Sequence, residues 1–277
     1  MNESTLPSPA FGLIIIGDEI LSGKRSDKHL PKVIELLAAR GHSLAWSRCV
    51  GDEPQRITAV LRDALDSGDA VFCCGGIGAT PDDHTRQCAA AALGTPLALH
   101  PVARDLIVER MREVAAEQGN AFDAERPDNV HRLNMGVFPV GCDIIPNPYN
   151  RIPGFSCTGT SGSRVHFFPG FPVMAWPMIE WVLDNEYQHL HRPGGRLERS
   201  VIVFGAMEAA LTPLMEQIER QHAVKVFSLP SVDHPEYGRH IELGVKGEIS
   251  AVQAAYAELL EGLHVHCAQL GPEMVRS

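Results

Sequence analysis

The sequence lacks the features that mark membrane-spanning and secreted proteins. No apolar run approaches the roughly 20 residues that span a bilayer. The N-terminal segment Met1–Ala10 does not follow the charged-then-apolar order of a signal peptide. Positive charge is also scarce, because 24 lysine and arginine residues face 34 aspartate and glutamate residues, which gives a net charge of −10. Nucleic-acid and anionic-membrane binding need a basic surface, so we expect neither kind of partner.

Paired metal-binding or disulfide motifs are also missing. The seven cysteines include no CxxC pair, and several lie in apolar runs, which favours buried, reduced thiols. Reduced thiols are typical of a cytoplasmic protein, which is the location we expect. The sequence has 13 histidines, and His264 and His266 alternate on a predicted strand. No second ligand pair at zinc-site spacing accompanies them, so we expect no structural zinc.

The first half of the chain alternates predicted strands with predicted helices. The strands and helices follow one another over 11–16, 27–40, 43–50, 54–67, 70–74 and 86–93. The runs 11–16 and 70–74 are continuously apolar, which indicates strands covered on both faces, as in a parallel sheet. This order therefore predicts an α/β fold of three layers with a mostly parallel sheet.

A turn-rich segment, 189–196, separates this pattern from a second predicted domain. The order after it is β-α-β-β-α-β, with the last strand placed at 263–267, and this order is that of a ferredoxin-like unit. We therefore predict two domains, an α/β domain over 1–192 and a small α+β domain over 197–277.

The segment 75–85 combines glycines with paired carboxylates between a predicted strand and a predicted helix. Its glycines allow backbone N–H groups to approach an anion closely, and the helix start adds further free N–H groups. The carboxylates of Asp82 and Asp83 would repel a bare phosphate, and a divalent cation between carboxylate and phosphate removes that conflict. The segment therefore predicts a phosphate-and-metal site. Its glycines are Gly75, Gly76 and Gly78.

Two more acidic pairs follow predicted strands directly. Asp18 and Glu19 come after the first strand, and Asp52 and Glu53 come after the second. Because ligands of such folds bind beyond the carboxyl ends of the strands, we expect these pairs to share one rim with Asp82 and Asp83. Helix capping and solvated loop charge are the alternatives.

Other residues are weaker candidates for the same site. Thr80 and Thr85 are positioned to donate to phosphate oxygens, although Thr85 could equally support the turn. Asn147 and Gly170 are expected to form the far wall of the pocket, with simple turn chemistry as the alternative.

Five sequence motifs, which occur in the same order as in the family, resemble those of the molybdopterin-binding MoaB/Mog-like family. The resemblance is closer to the N-terminal portion of CinA (competence/damage-inducible) proteins and covers about residues 11–190. Residues 75–85 match the pattern G-G-[LI]-G-P-T-x-D-D-x-T, with Ala79 in place of proline. The second domain is similar to the small middle domain of CinA proteins. The five motifs lie at 17–23, 50–52, 75–85, 145–155 and 168–172.

The resemblance implies a MoaB/Mog-like fold, a homo-oligomer and a small-molecule nucleotide or pterin as ligand. CinA-type members are implied to hydrolyse ADP-ribose or a related dinucleotide with a divalent metal (Mg, Mn or Co) and potassium. Mog-like members are implied to bind molybdopterin and adenylylate it. We therefore expect a metal-dependent nucleotide pyrophosphatase; a molybdopterin-binding adenylyltransferase and a non-catalytic binding module stay open as alternatives.

The expected site residues follow from these motifs. Asp83 and Asp82 are the expected catalytic residues and metal ligands. The expected substrate-binding residues are Gly17, Asp18, Glu19, Asp52, Gly75, Gly76, Gly78, Thr80, Thr85, Asn147 and Gly170.

Overall fold

The computed structural model describes residues 9–192, 194–265 and 269–276. The chain divides into two compact units, Met1–His191 and Arg192–Ser277. The division falls within the turn-rich segment 189–196. Each unit has its own hydrophobic core.

The first unit is built on a mixed six-stranded sheet with the order β2-β1-β3-β8-β7-β6, and a separate two-stranded sheet pairs β4 with β5. Strands β2, β1, β3 and β8 run parallel to one another, β7 pairs antiparallel with β8, and β6 pairs antiparallel with β7. The strands are β1 (Phe11–Ile16), β2 (Leu44–Val50), β3 (Ala70–Cys74), β4 (Leu97–Leu99), β5 (Val137–Pro139), β6 (Asp143–Ile145), β7 (Gly154–Thr158) and β8 (Arg164–Phe168).

Helices cover both faces of this sheet. They are α1 (Asp18–Leu21), α2 (His29–Ala38), α3 (Pro54–Asp66), α4 (Thr85–Leu93), α5 (Pro101–Glu117), α6 (Pro127–Arg132) and α7 (Pro172–Glu186), with 3-10 turns at Leu133–Gly136 and Gln188–Leu190. Every residue of β1 and β3 is buried. Alternate β1 side chains enter different cores, Ile14 with α3 and α4 and Leu13 with α2 and α7. The three-layer α/β fold predicted from continuous apolar strands is confirmed.

The second unit is an antiparallel sheet of order β10-β11-β9-β12. Its helices and sheet share one core that includes Val201, Leu211 and Tyr256. The ferredoxin-like arrangement is confirmed. The elements are β9 (Arg196–Phe204), α8 (Glu208–Gln221), β10 (Val224–His234), β11 (Gly238–Glu248), α9 (Ile249–Val265) and β12 (Gln269–Arg276).

Some predicted elements are wrong. The segment 17–23 holds the short helix α1, which the sequence analysis did not identify. Residues 263–265 belong to helix α9, so His264 is helical, and the last strand lies at Gln269–Arg276. His266 and Cys267 lie outside the described residues. The sequence analysis did not identify strands β4, β5 and β7.

Two observations bear on the predictions that the sequence has no membrane-spanning segment and that its cysteines are reduced. Within the described ranges no helix is long and apolar enough to cross a membrane. The six described cysteines are free, and all of them except Cys49 are buried.

Candidate functional site

The loops that follow β1, β2 and β3 meet at one edge of the sheet. The Gly17 N–H donates to the Val50 carbonyl at 3.0 Å, which joins the end of β1 to the end of β2. The Gly75 N–H donates to the Phe168 carbonyl, also at 3.0 Å, which joins the end of β3 to the end of β8. The parallel register of these strands therefore brings the loops that follow them together.

Four carboxylates line one open cleft of about 620 Å³ at this rim, and we call it the acidic cleft. Two reciprocal hydrogen bonds join Asp18 and Asp52. The Asp18 N–H donates to Asp52 Oδ2 at 2.9 Å, and the Asp52 N–H donates to Asp18 Oδ1 at 3.2 Å. A Cβ added at Gly51 would lie 2.3 Å from Asp18 Oδ1, so this approach needs glycine. The four carboxylates belong to Asp18, Glu19, Asp52 and Asp82.

Burial raises the pKa of Asp52, and the neighbouring negative charges of Asp18, Glu19 and Asp82 raise it further. The N–H bond from Asp18 opposes this rise. A carboxylate held under such repulsion is suited to receive a cation. Glu53, the sequence neighbour of Asp52, lies apart from this cleft, since its carboxylate pairs with Arg56 at 2.6 Å on the surface.

The glycines of the 75–85 segment are required by close approaches. Gly76 has φ of +68°, and a Cβ there would lie 2.2 Å from Thr85 Oγ1. Thr85 is fully buried; its hydroxyl donates to the Gly75 carbonyl and its N–H to the Gly76 carbonyl, both at 3.0 Å. Thr85 therefore supports the turn, which is the second of the two roles considered for it.

Asp82 and Asp83 line different cavities although they are sequence neighbours. Asp82 lines the acidic cleft. Asp83 lines a cavity of about 370 Å³ next to the glycines, which we call the glycine-loop cavity. The Asp83 carboxylate accepts the Thr80 N–H at 2.8 Å and also the Thr80 hydroxyl. These bonds fix the Asp83 side chain within the loop.

The glycine-loop cavity combines a polar side with an apolar wall. Gly76, Gly78, Thr80 and Asp83 form its polar side. An apolar wall with a few polar groups is the usual environment for a planar heterocycle such as a purine or a pterin. The apolar wall is formed by Met135, Ile152, Pro153, Phe171 and Met174.

Asn147 and Gly170 both line this cavity, but their polar groups are engaged elsewhere. The buried Asn147 amide donates to Asn150 Oδ1 and to the Ile152 carbonyl at 2.8 and 2.9 Å, and it accepts the Tyr149 N–H at 3.0 Å. The Gly170 carbonyl accepts His29 Nε2 at 3.0 Å. Asn147 therefore shapes the wall, and the sequence analysis missed the support that His29 gives.

Arg86 is a further residue that the sequence analysis missed. Its side chain is 4% exposed. Its Nη2 donates to the Gly78 carbonyl at 2.5 Å, and its Nη1 donates to the Asn134 carbonyl. His131 Nε2 donates to the next carbonyl, that of Ala79, at 3.1 Å. Because N–H and C=O point oppositely in a trans peptide, the Ala79 N–H faces away from Arg86. The sequence signal that could have identified Arg86 is the presence of a charged residue in an alanine-rich stretch.

The donor set of the acidic cleft fits a divalent metal only with help from a ligand. Across the ranges that the structure describes, no group of three or more His, Cys, Asp or Glu side chains is placed to hold a metal alone. Carboxylate oxygens are the ligands that Mg²⁺ prefers, and Mg²⁺ commonly takes one or two of them together with substrate phosphates. Asp52 and Asp82 match that requirement.

Comparisons with known proteins identify the family of this chain. The sequence model of a family described as "probable molybdopterin binding domain" matches residues 12–189. A protein of Caldivirga maquilingensis is 30% identical over 216 residues, which cover 78% of each chain. A CinA-like protein of Desulfovibrio desulfuricans is 33% identical over 200 residues, which are 72% of this chain and 44% of the relative. This chain therefore matches less than half the length of that relative.

A solved structure shares the fold of the first unit. The crystal structure of a CinA protein of unknown function from Thermoplasma acidophilum superposes with a TM-score of 0.54 at 25% identity. The match covers 64% of this chain and 98% of that chain. The resemblance drawn from the five motifs is confirmed.

Proposed function

This chain belongs to the family of probable molybdopterin-binding domains, and from that premise we propose that its first unit is a metal-dependent nucleotide pyrophosphatase. The proposed substrate is ADP-ribose or a related dinucleotide. The observation that carries the proposal is the position of Asp83, which stands beside the glycine loop, with the acidic cleft on the same rim. A base, an anion-binding loop and carboxylates for a cation are the parts that pyrophosphate hydrolysis needs.

The residues divide the binding task between them. The apolar wall of the glycine-loop cavity receives the adenine ring. Backbone N–H groups of the loop, among them that of Ala79, bind the phosphate oxygens. Arg86 and His131 hold the loop carbonyls on the other side, which keeps these N–H groups oriented.

The Asp83 carboxylate orients a water molecule for in-line attack on a phosphorus atom and takes its proton. A new P–O bond forms to the water oxygen as the bond to the bridging oxygen breaks, which releases two monophosphates. Asp52 and Asp82 would hold a divalent metal, which supplies charge neutralisation to the phosphates when bound.

The proposal is tested by AMP release from ADP-ribose in the presence of Mg²⁺, Mn²⁺ or Co²⁺ with K⁺. We expect Asp83→Asn to lower kcat by at least about 100-fold, the usual effect of losing a general base. Glu53→Gln is the matched control, because Glu53 is an exposed carboxylate near the same rim that pairs with Arg56. Undiminished activity of Asp83→Asn would overturn the assigned role.

The family also favours a second candidate function, molybdopterin binding. The Met and Phe side chains of the apolar wall suit a pterin ring as well as a purine. Tight binding of molybdopterin without hydrolysis of any dinucleotide would favour this second function over the first.

A further inference from the structure

Two buried cysteines lie opposite each other on the last two strands of the six-stranded sheet. We infer that Cys142 and Cys157 are a redox modification site, at which hydrogen peroxide joins them in a disulfide that closes the base of the segment 146–153. That segment carries part of the wall of the glycine-loop cavity, so the disulfide restricts how freely the wall moves. The site does not depend on which reaction the rim supports. The wall residues of the segment are Asn147, Asn150, Ile152 and Pro153.

The strand register brings the two cysteines together. In the antiparallel pair of β6 and β7, Asp143 pairs with Ser156. One position further along the same register, Cys142 lies opposite Cys157. Both cysteines belong to the core cluster that includes Phe155. Because residues i and i+2 of a strand share a face, the two thiols enter the core from the same face of the sheet.

The backbone leaves these two positions free of hydrogen bonds to each other. The Gly159 N–H donates to the Ser163 carbonyl at 2.9 Å, across the hairpin of β7 and β8. Since alternate residues of a strand direct their polar groups to opposite neighbours, the N–H and C=O of Cys157 also point to β8. The Cys142 N–H donates to the Pro139 carbonyl at 3.3 Å. Opposite residues at such a site have Cα atoms about 4.5 Å apart, and disulfides span about 4.4–6.8 Å.

Both thiols are shielded from solvent. Cys142 is 8% exposed and Cys157 is 3% exposed. Burial raises the pKa of Cys142 to about 11; it also raises the pKa of Cys157, and the neighbouring Cys142 raises it further. The pair therefore stays protonated at neutral pH and reacts slowly. Access comes from the sheet edge, because β6 is the outermost strand and is only three residues long, and short edge elements open locally.

The oxidation proceeds in two steps. The sulfur of Cys142, the more exposed of the two, attacks a peroxide oxygen; the O–O bond breaks, one water leaves, and Cys142 becomes a sulfenic acid. The sulfur of Cys157 then attacks the Cys142 sulfur; the S–O bond breaks and a second water leaves. The two thiols together lose two electrons and two protons, and the peroxide is reduced to two water molecules.

Peptide mapping of the full chain tests the pairing. The chain is treated with hydrogen peroxide at mildly alkaline pH, its remaining thiols are alkylated, and it is digested with trypsin without reductant. Cleavage after Arg132, Arg151 and Arg164 places each cysteine alone in one peptide, 133–151 or 152–164. We expect the two peptides to be joined, with the loss of the mass of two hydrogen atoms. Peptides that stay separate would overturn the pairing.

Thermal unfolding tests the closure of the segment. A disulfide across residues 143–156 restricts the unfolded chain, so the treated chain should melt at least about 4 °C higher, and dithiothreitol should reverse the rise. Cys142→Ala should abolish the rise. The matched control is Cys49→Ala, which should keep it, because Cys49 is exposed on β2 at the opposite edge of the sheet. A rise that survives Cys142→Ala, or a cross-linked chain that melts no higher, contradicts the closure.

Limited proteolysis of the folded chain tests the effect on the cavity wall. Arg151 is exposed within the segment 146–153. Trypsin should cleave after Arg151 at least about threefold more slowly in the treated chain than in the same chain reduced with dithiothreitol, because the disulfide limits local opening. Arg25, exposed in the loop after α1, is the internal control and should be cleaved equally in both. Equal rates at Arg151 would show that the disulfide does not restrict the wall.

Discussion

The Asp18 and Asp52 carboxylates each accept the other residue's backbone N–H, at 3.2 and 2.9 Å. The two loops they join follow neighbouring parallel strands, β1 and β2. The exchange uses one oxygen of each carboxylate and leaves both negative charges in the acidic cleft. The loops are therefore tied together by groups that also repel each other.

This repulsion predicts that Asp52→Asn stabilises the fold. The folded state raises the pKa of Asp52, so its contribution to stability is present at low pH and is lost as the pH rises through that pKa. Asparagine keeps an oxygen that can accept the Asp18 N–H and removes the charge. At pH 7 we expect the melting temperature to rise by about 1–2 °C, for on the order of 0.5 kcal/mol, because solvent screens the charges of this partly exposed pair. Glu53→Gln should give no such rise, and a lower melting temperature of Asp52→Asn at pH 7 would contradict the prediction.

Glycine substitutions should separate a strained position from a permissive one. Gly76→Ala places a Cβ 2.2 Å from Thr85 Oγ1 at φ +68°, so we expect the free energy of unfolding to fall by about 1–3 kcal/mol. Gly170→Ala is the control, because its Cβ would lie 3.6 Å from Gly75 Cα, an ordinary contact. Urea denaturation measures both variants. Equal stability of the two would show that the glycine loop adapts.

His166 should make stability depend on pH. Burial lowers its pKa from 6.5 to about 3, and Arg164 adds to the effect. Its ring nitrogens hydrogen-bond to Ser156 Oγ and Tyr187 OH, both at 2.8 Å. Between these two pKa values the unfolded chain binds a proton that the folded chain does not. The free energy of unfolding should therefore fall by about 1.4 kcal/mol for each pH unit below 6.5 on account of this residue.

The measurement is the slope of the free energy of unfolding against pH between 6.5 and 5. The variant His166→Asn should show a shallower slope than the unmodified chain, whatever its absolute stability. His189→Asn, at an exposed histidine, is the control and should keep the slope. An unchanged slope in His166→Asn would refute the assignment of this dependence to His166.

Asn147→Asp should destabilise the wall of the glycine-loop cavity. The substitution removes both amide donors of the buried Asn147, which leaves the partly buried Ile152 carbonyl and Asn150 Oδ1 without them. We expect a loss of about 1–3 kcal/mol in the free energy of unfolding. Asn120→Asp, at an exposed position, should change stability little. Unchanged stability with weakened nucleotide binding would instead make Asn147 a ligand contact.

Continuous apolar runs made the central strands predictable from the sequence. Phe11–Ile16 and Ala70–Cys74 are both buried at every residue. The run at 263–265 was misread because a short apolar stretch fits both a strand and a helix face. Its Leu263 continues the buried spacing of Tyr256 and Leu259 on helix α9. Strand β7 was missed because Gly154, Ser156 and Cys157 give little strand signal.

Individual residues of the candidate site could be predicted from the sequence, but not which of them line the same cavity. The rim position of Asp18, Asp52 and Asp82 follows from their places just beyond the strands of a parallel sheet, which the sequence pattern predicts. The separation of Asp82 from Asp83 depends on the path of one loop, which pattern alone does not determine. The support from Arg86 joins residues 48 positions apart, and long-range pairs of this kind leave no periodic signal.

The carbonyl bonds from Arg86 and His131 also bear on the kinetics of ligand capture. A loop that is ordered during folding loses little further conformational entropy when a ligand arrives. Capture then needs no closing motion at the 78–79 peptides, and the observed rate should increase linearly with ligand concentration instead of reaching a plateau. The hydrogen bonds that Arg86 and His131 donate to the loop carbonyls would thus help to determine the rate at which a ligand binds to the loop N–H groups.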